Sequence, residues 1–129
     1  MKIFFIYLFC FINFISISFG LENKIEVKVD NEIITSLDIN NEKKYLLALN
    51  KNFINIDNSK AIDIAKKSII REKIKKIEIL RNFADLKINE DVLNNILKSI
   101  YTNIGIANLN DFKLYLKSQN VDFNLVKKK

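Results

Sequence analysis

Apolar and polar positions alternate strictly from Lys24 to Val29. Ile25, Val27 and Val29 fall on one side, and Lys24, Glu26 and Lys28 on the other. That period of two predicts a half-buried strand. Asp30-Asn31 suits a two-residue turn, and Glu32 to Thr35 can return as a second short strand. A lone hairpin is marginal in water, so its apolar face needs a helix or a further strand as cover. Thr35 then has the chemistry of a helix N-cap, with Asp38 three residues on at the positive helix end. The helix it opens is expected over Ser36 to Leu49, with Ile39, Tyr45, Leu46 and Leu49 inward. Asn50 to Asn58 reads as a polar loop plugged by Phe53 and Ile56.

From Ser59 the rhythm becomes helical for about seven turns. Ile62, Ala65, Ile69, Ile70, Ile74, Ile77, Leu80 and Ala84 recur at steps of three and four, with charges between them. The plain account of that stripe is a long core helix. Asp85 to Ile88 forms a short connection, and Asn89 caps a third helix with Glu90 and Asp91 in its first turn. Val92, Leu93, Ile96, Ile100 and Ile104 make its inward stripe, and Gly105 marks its end. Asn108 or Asn110 caps a fourth helix running to about Ser118, with Leu109, Phe112, Tyr115 and Leu116 inward. Asn120 breaks it, and a short last helix starts near Val121 with Phe123 and Val126 as its apolar residues. The expected fold class is mainly α: an N-terminal β-hairpin followed by four to five helices.

Ahead of this domain, Lys2 is followed by an apolar run from Ile3 to Phe19 and a small-residue exit at Ser18-Phe19-Gly20. A positive start, an apolar centre and small residues at the exit describe a secretory signal peptide over residues 1–20. The other reading is an uncleaved anchor, for which the run is slightly short of the roughly 20 residues a spanning helix needs. The expected organisation is therefore a signal peptide at 1–20 and one exported helical domain at 21–129. Cys10 is the sole cysteine and lies inside the apolar run, so the domain holds no disulfide. It must rely on apolar packing or on a partner.

Charge and composition narrow the chemistry. The whole chain carries a formal +6, and about +5 remains once Lys2 is removed. In an exported protein such a balance suits anionic surfaces and acidic clients more than nucleic acid. The plainer account is solvated lysines spread along helix faces. Histidine, proline and tryptophan are absent, and the glycines are Gly20 and Gly105. Without histidine or a mature thiol, nucleophilic triads fail. Glu90-Asp91, Asp57 and Asp63 are explained by helix starts. Asp38-Ile39-Asn40-Asn41-Glu42 departs from a calcium loop, since it lacks the glycine at the sixth position and falls in a helical pattern. A glycine-rich phosphate loop is ruled out, and the aromatics are too scattered for base stacking. No metal, cofactor or catalytic residue is expected.

The order of these segments carries a resemblance. Val27-Lys28-Val29-Asp30-Asn31-Glu32-Ile33-Ile34-Thr35 resembles the opening of SurA-type periplasmic chaperones. Ile69-Ile70-Arg71-Glu72-Lys73-Ile74 is similar to that family's second helix, and Leu86 to Ile96 to its entry into helix three. Leu109 to Leu116 and Val121 to Val126 match the short helix and docking segment that follow. The resemblance implies a periplasmic, ATP-independent holdase for unfolded outer-membrane proteins, with client contacts from Ile62, Ile69, Ile70, Ile74, Ile77, Phe112 and Tyr115. It implies a non-enzyme, because the parvulin-type isomerase domains that usually follow have no counterpart before Lys129. The family's C-terminal segment is missing too, so self-association, a separate isomerase or C-terminal partner, or a truncated product is expected. The competing reading is an exported or inner-membrane-anchored adaptor for one specific protein.

Overall fold

The computed structural model describes residues 23–83 and 89–129. The expected signal peptide, Ala84 and the Asp85 to Ile88 connection lie outside those residues. Strands β1 (Ile25–Val29) and β2 (Glu32–Thr35) are followed by α1 (Ser36–Leu49), a 3-10 turn (Lys51–Phe53), α2 (Asn58–Asn82), α3 (Glu90–Asn103), α4 (Leu109–Ser118) and α5 (Phe123–Lys128). The chain is thus a hairpin followed by five helices, mainly α.

The hairpin is antiparallel and turns at Asp30, whose φ of 55° lies in the left-handed region that Asp tolerates. Its register breaks the strict alternation. Ile25 pairs with Thr35 and Val27 with Ile34, so β1 carries one extra residue there, a β-bulge. The bulge corrects the expectation that Ile25 points inward: it is 63% exposed. Val27 and Val29 remain on the packed side with Ile34, against Ile39 of α1 and Ala65, Ile69 and Ile70 of α2. Salt bridges clamp the hairpin to α2, Glu26 to Lys66 at 3.3 Å and Glu32 to Lys73 at 2.6 Å. The Lys73 hydrogen bond and charge, with Lys76 beside it, hold the Glu32 carboxyl below its usual range.

Caps set the helix limits. Thr35 accepts from the Asp38 N–H at 3.3 Å, while the Asp38 carboxylate accepts from the Thr35 N–H at 2.8 Å, a reciprocal capping box. Asp57, Asn89, Asn108 and Asp122 cap the later helices. At the end of α3, Gly105 (φ 86°) donates to the Thr102 carbonyl and Ile106 to that of Tyr101. This is a Schellman closure, which needs a positive φ. Asn120 (φ 55°) repeats it after α4, with Val121 donating to Leu116.

Helix α1 is the shared wall of two apolar clusters. On one side Ile39 and Leu46 meet the hairpin and α2. On the other, Ala48, Tyr45 and Leu49 meet Leu97 of α3, Phe112 and Leu116 of α4, and Val121 and Val126. Phe112 is fully buried, with Tyr101 at 5.9 Å and Phe123 edge-on at 6.3 Å between ring centres. The Tyr115 hydroxyl donates to the Ala48 carbonyl at 2.8 Å and fixes α4 on α1.

Between the clusters sits Glu42, only 2% exposed. Ser68 of α2 donates to one carboxylate oxygen at 2.7 Å, and Lys129 approaches the other at 2.5 Å. The Lys129 ammonium also pairs with Glu72 and lies 4.8 Å from the Tyr45 ring centre. Burial alone would lower the pKa of Lys129, but hydrogen bonds to Glu42 and Glu72 outweigh it and raise it above the ordinary lysine value. Burial pushes the Tyr45 phenol up as well.

Losing one partner of a buried pair costs about 3–5 kcal/mol, because the other charge is left uncompensated. Lys129→Met is therefore expected to lower chemical-denaturation stability by about that amount, and Glu42→Leu in the same background to recover most of it. A single-variant loss below about 1 kcal/mol, the range of an exposed pair, would show the bridge to be incidental. Because the folded pKa of Lys129 is raised, its contribution is complete below the ordinary lysine value and is lost as pH rises through the folded value. Tyr45 acts in the same sense. Thermal scans should show an alkaline decline that Lys129→Met flattens.

Candidate functional site

The buried stripe of α2 is Ala61, Ala65 and Ile69, at steps of four. Continued at helical spacing, the same face passes Glu72 and Lys76 and reaches Ile79, Leu80 and Phe83. These last three are 42%, 47% and 61% exposed. The reason is length. Helix α2 has 25 residues and α1 has 14, about 37 Å and 21 Å at the standard rise. The hairpin reaches along α2 as far as Lys76, which meets Glu32 at 3.6 Å. The turns of α2 beyond it carry the core-facing side outward as a small apolar patch.

A second uncovered region is a groove of about 560 Å³ where the start of the hairpin, the first turn of α1 and the first half of α2 meet. Ile39 forms its floor, while Leu37 and Ile62, each at least 40% exposed, line it. Glu26, Lys43, Asp63 and Lys66 supply a polar rim. An apolar floor with a few charged groups at the edge is the ordinary composition of a site for an apolar side chain. A third apolar pair, Val92 and Ile96, flanks the buried stripe of α3, each 50% exposed.

The residues expected to contact a client separate into classes. Ile62 lines the groove, and Ile74 is exposed at 47% on the opposite side of α2 from the core. Ile70 and Ile77 are half-buried, Ile70 against the hairpin cluster. Tyr115 is half-buried and engaged with Ala48. Ile69 and Phe112 are core: at 9% and 0% exposure they offer no surface to a partner. The structure does not gather these seven side chains into one site. Leu37, Ile79 and Phe83 were absent from the expected set, although Ile79 and Phe83 continue the Ala61-Ala65-Ile69 spacing.

In α3 the inward register also differs from expectation. Leu97 is the buried residue, with Leu93, Ile100, Tyr101 and Ile104 packed half-buried around it. Val92 and Ile96, expected inward, lie on the flank of that arc. Asp38 and Glu42, the ends of the calcium-like segment, serve the capping box and the buried bridge. Among the described residues no group of three potential metal-ligating side chains converges, and no helix is long and apolar enough to cross a membrane.

No family model, curated protein or solved structure matches the chain.

The apolar patch at the end of α2 should bind a solvatochromic hydrocarbon probe in the folded state. Leu80→Ser with Phe83→Ser is expected to remove at least half of that fluorescence while shifting stability by less than about 1 kcal/mol, because exposed positions carry little folding energy. Unchanged fluorescence would place the probe's site elsewhere.

Proposed function

We propose that this protein is an exported, ATP-independent holdase that shelters apolar segments of unfolded outer-membrane proteins, and that it is not an enzyme. The observation that carries the reading is the uncovered continuation of the α2 core face at Ile79, Leu80 and Phe83, with the Leu37–Ile62 groove as a second seat. The resemblance of the hairpin, cap and helix order to SurA-type chaperones supplies the client class.

The energetics suit a carrier. Full burial of one large apolar side chain stabilises by about 1.5–3 kcal/mol. The exposed halves of two or three such residues therefore give a few kcal/mol, reduced again by the cost of ordering a flexible client. Separate weak contacts of that size favour rapid exchange over tight capture. Nucleotide is not needed, because release follows from weak affinity.

The test is light scattering of a urea-unfolded porin diluted into buffer with the chain present. Suppression that rises with chain concentration and needs a large molar excess over the porin is expected, as weak affinity requires, and the Leu80→Ser/Phe83→Ser variant should lose most of it. Full suppression by that variant would remove the α2 patch from the mechanism. No suppression by the wild type, with one protein recovered stoichiometrically instead, would favour a dedicated adaptor. A concentration-dependent dimer that hides the patch would show that a second copy occupies it.

A further inference from the structure

Helix α2 sorts its cations by side. Lys66, Lys73 and Lys76 lie toward the hairpin and are paired with Glu26 and Glu32. Lys60, Lys67, Arg71 and Lys75 lie on the other side, exposed and with no carboxylate partner among the described residues. At steps of three and four they form one stripe with Ile64 and Ile74, which are 40% and 47% exposed. Two carboxylates border the stripe. Glu78 is engaged by Arg81 at 2.8 Å, and Asp63 stands at the rim of the groove. We propose that this outer face of α2 is a docking surface for the headgroup plane of an anionic lipid bilayer.

Three features fit that occupant. The stripe has an excess of unpaired positive charge, complementary to anionic headgroups. It runs along one continuous helix of 25 residues, so several cations can reach one plane together. Its two isoleucines stand among the cations, where they can enter the boundary between headgroups and acyl chains, as on interfacial amphipathic helices. A polyphosphate backbone would use the cations and leave both isoleucines in water. The inference does not depend on the holdase reading, since the stripe centred on Lys67 and Arg71 lies away from Leu80 and Phe83, with Lys75 and Ile79, four residues apart, where the two faces meet.

The experiment is vesicle co-sedimentation of the full chain with phosphatidylcholine alone and with phosphatidylcholine containing phosphatidylglycerol. The ratio of the two affinities is the readout, which cancels attraction of the apolar N-terminal run to any bilayer. Wild type is expected to bind the anionic vesicles at least tenfold tighter, with the preference falling as salt rises. Lys67→Gln, Arg71→Gln and Lys75→Gln together should cut that ratio on the order of a hundredfold or to unity, at about fivefold per basic side chain near the surface. These exposed changes should leave circular dichroism and melting unchanged. Ile64→Ser with Ile74→Ser should weaken the binding that survives at high salt. Equal affinity for the two vesicle types in the wild type would overturn the proposal. So would an anionic preference that the triple variant retains, or a triple-variant defect seen with single-stranded DNA and not with vesicles. Failure of porin protection with vesicle binding intact would count against the holdase reading alone.

Discussion

A carboxylate in a protein interior has to be met by a cation or by several donors, and Glu42 is where this fold meets that requirement. Its partners come from Ser68 on α2 and Lys129 beyond α5, so the constraint joins distant parts of the chain. The transfer of apolar surface out of water is by itself non-directional. The bridge has direction. It admits only those arrangements of α2 and α5 that place Ser68 and Lys129 around one carboxylate, with Tyr45 closing the aromatic side. The pair adds little net stability over a well-packed apolar substitute. What it does structurally is tie α2, through Ser68, and the end of α5, through Lys129, to the same point on α1.

The exposed apolar end of α2 follows from helix lengths. Among the described residues, a helix of 25 residues laid against one of 14, with a hairpin of four- and five-residue strands, is left uncovered over its last turns. Polar residues along the overhang would have made it an ordinary solvated helix end. Instead the apolar period of the core face continues through Ile79, Leu80 and Phe83. The groove toward the other end of the helix lies where the start of the hairpin, α1 and α2 meet. There the bulge in β1 turns Ile25 outward, and Leu37 and Ile62 keep a substantial part of their surface open to solvent.

Local signals in the sequence translated directly into structure. Thr35 with Asp38, Asn89, Gly105 and Asn120 act through hydrogen bonds to nearby backbone, so the limits of α1, α3 and α4 could be read within a residue or two. Periodicity identified the helices and their approximate inner faces. It could not separate Ala61 from Ile62 as the buried residue, nor Leu97 from Ile96, because adjacent positions differ by about 100° and only the neighbouring element decides between them. The bulge at Glu26 was hidden for a related reason: alternation in sequence says nothing about an unequal residue count across the ladder. Glu42 was unreadable as a core residue, since its partner Lys129 is far away in the chain. Phe112 and Ile69 were legible as inward helix positions, and they are core; what periodicity could not show is that they are closed to a client, because the same residue types line a cavity, a client seat or a packed interior.

The two uncovered features of α2 require different physics. The apolar patch acts at contact distance and gives affinity without orientation. The cationic stripe acts over about a Debye length and gives encounter and orientation before contact. The centre of the stripe, Lys67, Arg71 and Ile74, is about half a turn from the line that runs from Ala65 through Ile69 to Phe83, while Lys75 and Ile79, four residues apart, stand where the two faces meet. A surface held against the stripe therefore leaves Leu80 and Phe83 facing away, open to a second partner. A helix with its cations distributed evenly would have to choose one or the other. The hairpin carboxylates Glu26 and Glu32 produce this separation, because they neutralise the cations on the packed side and leave the excess charge on the far side.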